Sequence, residues 1–124
     1  MKKIVWVVDD DQSFCEFMDI WIKKHFDVTI TTFNTANEFM SAVDNCEYAP
    51  SLVLMDVRLK DENGLRLSKK VKKEHSEIPF IHLTSLGGNP IIEEDLIILN
   101  KPIDRLALVK EISRYLPERN LEAV

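Results

Sequence analysis

Residues 4–11, IVWVVDDD, are the most informative part of this sequence about its fold, because a continuous apolar run ends there abruptly at three aspartates. Such a run, rich in β-branched residues, is typical of a strand buried on both faces of a parallel sheet. Residues 52–56 (LVLMD) and 80–84 (FIHLT) repeat the pattern, and each ends in a polar residue. Residues 28–32 and 96–99 predict two further strands, so we expect five strands in all.

Between these runs the spacing of apolar residues changes to that of helices. Phe14, Met18 and Trp21 recur at i, i+4 and i+7, and Phe17 and Ile20 widen the same stripe, which predicts a first amphipathic helix. Three later helices are predicted by their capping residues and apolar stripes: one opened by a capping box of Thr35 and Glu38, one after Gly64 with Leu65, Leu67 and Val71, and one capped by Asp104 with Leu106, Val109, Ile112 and Leu116.

Alternating strands and helices indicate βαβ units, whose right-handed crossovers build a parallel sheet with helices on both faces. The predicted fold class is therefore α/β, a doubly wound sheet of five parallel strands. A length of 124 residues and a hydrophobic content of 45% suit one domain with one substantial core. We expect residues 1–124 to form that domain, with residues 119–124 as a C-terminal tail and no output domain.

The composition argues against several functional classes. A net charge of −5 and a sequence pI near 5.2 disfavour direct nucleic-acid binding, which needs a clustered basic surface. The cluster KKVKK, residues 69–73, lies on a predicted helix without aromatic residues and is predicted to be a solvated face. Cys15 and Cys46 lack metal-ligand spacing, which fits a reducing cytoplasm, and no apolar stretch is long enough for membrane insertion.

The polar residues that end the predicted strands define the candidate site. In a doubly wound sheet ligands bind at the carboxyl ends of the strands, and that edge collects Asp9, Asp10, Asp56, Thr84 and Lys101. Crowded carboxylates repel one another unless a cation compensates them, and hard oxygen ligands suit Mg²⁺. One carboxylate is then free to attack phosphorus, and the hydroxyl of Thr84 and the ammonium of Lys101 can bind the phosphoryl oxygens.

These residues resemble the receiver family of response regulators, and the resemblance covers nearly the whole chain. Five motifs stand in the family's order: Val7-Val8-Asp9-Asp10-Asp11, Leu52-Val53-Leu54-Met55-Asp56, Asn63-Gly64-Leu65, Leu83-Thr84-Ser85 and Lys101-Pro102. The resemblance implies the flavodoxin-like receiver fold and a phosphorylation switch of two-component signal transduction.

The resemblance also assigns roles to the matching residues. It implies that Asp56 is the phosphoacceptor and takes its phosphoryl group from the phosphohistidine of a sensor histidine kinase or a histidine phosphotransfer protein. It implies that Asp10 and Asp56 bind Mg²⁺ with the backbone carbonyl of Arg58, and that Asp9 acts mainly through a metal-bound water. The switch would then act on a downstream protein target, and the chain would be no enzyme beyond its own phosphorylation and dephosphorylation.

The segment between Thr84 and Lys101 departs from the family. Lys101 follows Thr84 by 17 positions, several fewer than is usual, and the segment between them contains the helix-breaking run GGNP, residues 87–90. We therefore expect the helix that the family has here to be shortened or irregular. The aromatic switch residue that stands three positions before the family's lysine is Ile98 in this chain, so rotation of an aromatic ring cannot relay the signal.

Two other functions stay open at this point. A pseudo-receiver would keep the fold and bind partners without phosphate; the altered segment after Thr84 favours it, and the intact acidic set opposes it. A haloacid-dehalogenase-like phosphotransferase would use Asp9, Asp11, Thr84 and Lys101, but it leaves Asp56 unexplained.

His82 lies in the middle of a predicted strand, at a position that is expected to be apolar. Two interpretations are open, a neutral core histidine with a hydrogen bond and a pH-sensitive element. We favour the core histidine, because a buried strand position rarely carries a charge.

Overall fold

A six-stranded sheet organises the fold, which the computed structural model describes for residues 2–93 and 95–119. The strands are β1 (Lys3–Val8), β2 (Val28–Phe33), β3 (Leu52–Asp56), β4 (Phe80–Thr84), β5 (Ile91–Ile92) and β6 (Ile97–Asn100). The helices are α1 (Gln12–His25), α2 (Ala36–Asn45), α3 (Gly64–Glu74) and α4 (Arg105–Ile112). The strand order is β2-β1-β3-β4-β6-β5, and all described pairings are parallel except that of β5 with β6. The doubly wound α/β fold is as predicted.

Two hydrophobic cores cover the two faces of the sheet. Alternate residues of β1 point to opposite faces: Val5 and Val7 pack in the core with α1 and α4, whereas Trp6 and Val8 pack in the core with α2 and α3. All five residues of β3 are buried, since the strand lies in the centre of the sheet with helices on both sides. This double coverage explains the continuous apolar runs in the sequence.

The buried stripe of α1 differs from the predicted stripe. Met18 is fully buried as expected, but Phe17 is 44% exposed and Ile20 is 74% exposed. Cys15 and Ile22 face the core instead. The prediction for Phe17 and Ile20 was wrong because the helix buries the face centred on Met18 and Ile22, one turn apart, and both residues lie off that face.

In the last helix, α4, the buried residues also differ in part from those predicted. Asp104 caps α4 as predicted, with its carboxylate accepting a hydrogen bond from the backbone N–H of Ala107 at 3.2 Å. Leu106, predicted to be buried, is 85% exposed, and Leu108 is fully buried in its place. The helix starts at Arg105, so its first turn faces solvent before Leu108 and Ile112 reach the core.

The segment between Thr84 and Lys101 holds no helix among its described residues, which confirms the prediction of a shortened or irregular one. Gly87 and Gly88 have φ angles of +81° and +91°, a left-handed conformation that interrupts a helix and favours glycine. The chain instead forms β5, which pairs antiparallel with β6 and adds a sixth strand to the five predicted.

The end of the described chain packs on the end of α1. Arg119, the first residue of the predicted tail, donates a backbone hydrogen bond to the carbonyl of His25 at 2.7 Å and a side-chain hydrogen bond to the carbonyl of Lys23 at 2.9 Å. The rest of the predicted tail, residues 120–124, lies outside the described residues. Across the described part of the chain, every helix is too short or too polar to cross a membrane.

Candidate functional site

The carboxyl ends of two neighbouring strands bring three carboxylates together. Asp9 follows β1, and Asp56 ends β3, which lies beside β1 in the sheet. One carboxylate oxygen from each of Asp9, Asp10 and Asp56 lies within 4.8 Å of the others. The three aspartates singled out from the sequence therefore form one cluster, although Asp56 is far from the other two along the chain.

Lys101 extends into this cluster from the end of β6. Its Nζ lies 2.5 Å from Oδ2 of Asp9 and 3.7 Å from Oδ2 of Asp56. The ring of Phe14 lies below the ammonium, with 4.1 Å between Nζ and the ring centroid, a favourable cation–π distance. The sequence predicts Phe14 only as part of the apolar stripe of α1, because its contact with Lys101 depends on how α1 packs beside β6.

The electrostatics of Asp56 are set by burial. Its side chain is largely buried, and desolvation raises the pKa of its carboxyl group above the ordinary value; the charge of Asp9 raises it further. The ammonium of Lys101 and the backbone N–H of Arg58 oppose this shift. The carboxylate is thus poorly solvated and close to a cation, a combination that occurs at functional sites.

Thr84 ends β4 next to the cluster. Its Oγ accepts a hydrogen bond from the backbone N–H of Leu86 at 3.2 Å, and its carbonyl accepts one from the backbone N–H of Lys101 at 2.7 Å. The second bond ties the ends of β4 and β6 together. Thr84 and Lys101 are therefore held side by side on one flank of Asp56.

The loop after β3 folds back over Asp56. The backbone N–H of Arg58 lies 3.4 Å from Oδ1 of Asp56, and Gly64 at the start of α3 approaches the backbone of Asp56 closely. A Cβ atom on Gly64 would lie 2.0 Å from the Asp56 carbonyl oxygen, so a side chain does not fit there. The structure thus places Arg58 beside the cluster, while the role of its carbonyl as a metal ligand stays a prediction.

Two polar residues near Asp9 have structural partners. Asp11 caps α1, since its carboxylate accepts a hydrogen bond from the backbone N–H of Phe14 at 3.2 Å. Asn34, which follows β2, donates from Nδ2 to the carbonyl of Asp9 at 2.9 Å. Asn34 belongs to none of the motifs in the sequence, and only the parallel pairing of β1 with β2 places it here.

The chemistry of these donors fits a magnesium ion. Asp9, Asp10 and Asp56 supply hard anionic oxygens, the ligands that Mg²⁺ prefers. Lys101 offers one positive charge to three carboxylates, so the cluster keeps an excess of negative charge that a divalent cation would compensate. Asp10 is more exposed than Asp9 and Asp56, which leaves room for the water ligands that Mg²⁺ retains.

His82 lies outside this cluster, in the seam between β4 and α3. Its ring is buried, and its Nε2 lies 2.8 Å from Oγ of Ser68. Burial lowers the pKa of His82 to about 4, so the ring is neutral at physiological pH. The prediction of a neutral core histidine with a hydrogen bond is confirmed.

Comparison with known proteins identifies one family. The model of the response regulator receiver domain family matches residues 5–113. The DNA-binding transcriptional regulator NtrC of Salmonella typhimurium is 35% identical over 88 residues, which cover 68% of this chain and 17% of NtrC. The transcriptional regulatory protein FixJ of Bradyrhizobium diazoefficiens is 29% identical over an alignment of 133 residues, which covers 99% of this chain and 63% of FixJ. The chain thus spans less than two thirds of the length of either relative.

Solved structures share the same fold. The response regulator receiver protein of Pseudomonas putida superimposes with a TM-score of 0.75 at 21% identity, covering 92% of this chain and 98% of that chain. The BeF3-activated receiver domain of DrrB, a Thermotoga maritima protein, gives a TM-score of 0.74 at 23% identity, covering 93% of this chain and 97% of that chain. At these identities the likeness concerns the fold alone.

Proposed function

The chain belongs to the response regulator receiver family of two-component systems, and from that membership we propose that it accepts a phosphoryl group on Asp56 and thereby switches its interactions with other proteins. The observation that carries the proposal is the position of Asp56. Its carboxylate ends the central strand β3, lies within 4.8 Å of the carboxylates of Asp9 and Asp10, and has the ammonium of Lys101 at 3.7 Å.

In the proposed reaction, a carboxylate oxygen of Asp56 forms a bond to phosphorus while the N–P bond of a phosphohistidine breaks. The leaving imidazole nitrogen takes up a proton, and the product is an aspartyl phosphate. The hydroxyl of Thr84 and the ammonium of Lys101 donate hydrogen bonds to the phosphoryl oxygens, where negative charge is concentrated. Hydrolysis of the same acyl phosphate returns Asp56 to its free form.

Magnesium belongs to the same proposal. Asp9, Asp10, Asp56 and the backbone carbonyl of Arg58 would hold the ion, with Asp9 acting mainly through a bound water. The bound ion supplies positive charge that neutralises the approaching phosphoryl group. Lys101 pairs with Asp9 and lies near Asp56, so it lowers the repulsion between these carboxylates and holds the cluster together.

The proposed phosphodonor is a sensor histidine kinase or a histidine phosphotransfer protein, and the proposed readout is a downstream protein target in the cytoplasm. The relatives NtrC and FixJ are transcriptional regulators of greater length, and NtrC is DNA-binding. This chain matches only part of the length of each of these two relatives. We therefore propose that the described domain itself contacts protein partners rather than nucleic acid or membrane.

A haloacid-dehalogenase-like phosphotransferase is disfavoured by the position of Asp11. That chemistry would need Asp9 and Asp11 as a catalytic pair, but the carboxylate of Asp11 accepts the hydrogen bond that caps α1. A phosphate-independent pseudo-receiver remains the second candidate, because the β5–β6 hairpin replaces the family's helix after Thr84.

Intact mass spectrometry after incubation with acetyl phosphate tests the proposal. We expect a gain of one phosphoryl group with Mg²⁺, little gain without it, and none in Asp56→Asn. Asp44→Asn is the matched control, because Asp44 is an exposed aspartate of α2, and this variant should react like the wild type. Absence of a Mg²⁺-dependent gain in a folded wild-type protein would favour the pseudo-receiver.

A further inference from the structure

One segment of this acidic chain is strongly basic. Residues 58–73 contain seven lysines and arginines and two carboxylates, a net charge of +5 within a chain of −5, which leaves −10 for the remainder. No lysine or arginine occurs in the flanking residues 25–57 and 74–100. Seven of the sixteen lysines and arginines thus lie in this one segment, and the other nine lie in residues 2–24 and 101–119.

Four of these cations form a stripe on α3, which we call the α3 stripe: Arg66, Lys69, Lys70 and Lys73, at positions i, i+3, i+4 and i+7. All four residues are exposed, and within residues 2–93 and 95–119 none of them forms an ion pair. Like charges at these spacings destabilise a helix, so the stripe does not contribute to the stability of α3. On α1, by contrast, the cation Lys23 forms an ion pair with Asp19 at 2.9 Å.

The α3 stripe lies between acidic neighbours. Helix α2, which packs on the same face of the sheet, carries Glu38 and Asp44 and no cation. On the other side, Asp95 shares a small depression with Lys69 and Lys72. A broad polyanion such as duplex DNA would meet carboxylates next to the stripe, whereas a narrow acidic segment would contact the stripe alone. The stripe is roughly 10 Å long, the rise of about two helical turns.

We propose that the α3 stripe is a docking surface for an acidic segment of another protein, one that presents carboxylates along one face of a helix. Complementary charge would speed the encounter and orient the partner. The stripe starts two residues after Gly64, whose backbone contacts Asp56, so a partner bound there would lie beside the phosphorylation site. Docking itself requires only the four cations and is independent of phosphorylation.

Fluorescence anisotropy with a labelled helical peptide tests the proposal. The probe carries glutamates at i, i+3, i+4 and i+7, and a second peptide has glutamine at the same positions. We expect the glutamate peptide to bind wild type in a salt-dependent manner and the glutamine peptide to bind at least roughly tenfold more weakly, a difference of about 1.4 kcal/mol. The triple variant Lys69→Gln, Lys70→Gln, Lys73→Gln should lose at least roughly tenfold in affinity as well.

The matched control removes three exposed lysines elsewhere: Lys3→Gln, Lys24→Gln and Lys110→Gln. It has the same net charge as the stripe variant, and its affinity should change less than about twofold. Equal losses in the two triple variants would overturn the proposal, and so would failure of the glutamate peptide to bind at low salt. Tighter binding of a DNA duplex than of the peptide would also overturn it, because the stripe would then be a nucleic-acid surface. Circular dichroism checks that every variant is folded.

Discussion

Among individual residues, the repulsion between the clustered carboxylates is balanced by one partly buried cation, the ammonium of Lys101. Asp9 and Asp56 are nearly inaccessible, and Lys101 is the cation that contacts both among the described residues. Burial and the charge of Asp9 raise the pKa of Asp56, which means that the ionised carboxylate is less favourable in the fold than in the unfolded chain. Keeping this carboxylate ionised therefore costs the fold stability.

Asp56→Asn should therefore stabilise the protein at neutral pH. A carboxyl group whose pKa is raised by folding destabilises the fold above that pKa, and protonation relieves the cost as pH falls through it. We expect the melting temperature at pH 7 to be higher than that of the wild type, and the difference to vanish below the unfolded pKa of 3.8. Thermal unfolding at a series of pH values checks this. A lower melting temperature for the variant at pH 7 would contradict it.

Phe14 is predicted to hold the ammonium of Lys101 in its reactive position. Phe14→Leu keeps the apolar bulk but removes the π face, so we expect phosphorylation by acetyl phosphate to slow by roughly threefold to tenfold. Phe14→Trp should retain the rate, because indole binds cations at least as well. The initial rate of phosphorylation of each variant tests both expectations. Phe17→Leu is the control on the same helix, and an unchanged rate in Phe14→Leu would refute the role.

At the element scale, the start of α3 and the end of β3 form one closely packed unit. Asn63 caps α3 by accepting hydrogen bonds from the backbone N–H groups of Leu65 and Arg66, at 2.9 and 3.1 Å. This cap fixes Gly64 against the backbone of Asp56, and the Gly64 N–H donates to the carbonyl of Val57 at 2.7 Å. The glycine is required for this close approach and has no part in the chemistry.

Gly64→Ala should destabilise the protein by at least about 2 kcal/mol. Alanine normally stabilises a helical position relative to glycine, but here its Cβ would lie 2.0 Å from the Asp56 carbonyl oxygen, and the backbone would have to move. Urea denaturation measures the change. Gln12→Ala, at the corresponding first position of α1, should have little effect. A stabilising Gly64→Ala would show that α3 does not approach β3 so closely.

The seam between β4 and α3 makes stability depend on pH. Folding lowers the pKa of His82 from 6.5 to about 4, so below pH 6.5 the unfolded chain binds a proton that the folded chain does not. Stability is lost as pH falls from 6.5 toward 4, by about 2 kcal/mol at pH 5. Urea denaturation at pH 7 and pH 5 checks this. His82→Phe should lose less stability than wild type over that interval, and an equal loss would exclude His82 as the source.

The elements differ in how well the sequence predicts them. The ends of β1, β3 and β4 were predictable, because a buried parallel strand is a continuous apolar run and its end is marked by a polar residue. The rotation of α1 about its own axis was not predictable. Phe17 and Ile22 are both apolar, and only the packing of the helix on the sheet decides which of them is buried. The contact of Phe14 with Lys101 and that of Asn34 with Asp9 depend in the same way on strand order, which brings distant segments together.

At the scale of the whole molecule, the sheet order explains why the site residues converge. Strands β1, β3, β4 and β6 are adjacent and parallel, so their carboxyl ends meet at one edge. Both hydrophobic cores hold these strands in place from opposite faces. The hairpin of β5 and β6 forms one flank of this edge, next to Thr84 and Lys101.

If Asp56 itself carries the phosphoryl group, borohydride reduction will identify it. Sodium borohydride converts an aspartyl phosphate into homoserine, and peptide mapping by mass spectrometry then locates the altered residue. After phosphorylation with acetyl phosphate and Mg²⁺, we predict homoserine at position 56 and unmodified aspartate at positions 9, 10 and 11. Homoserine at position 9 in place of 56 would contradict the proposed role of Asp56 and indicate a phosphotransferase that uses the first aspartate.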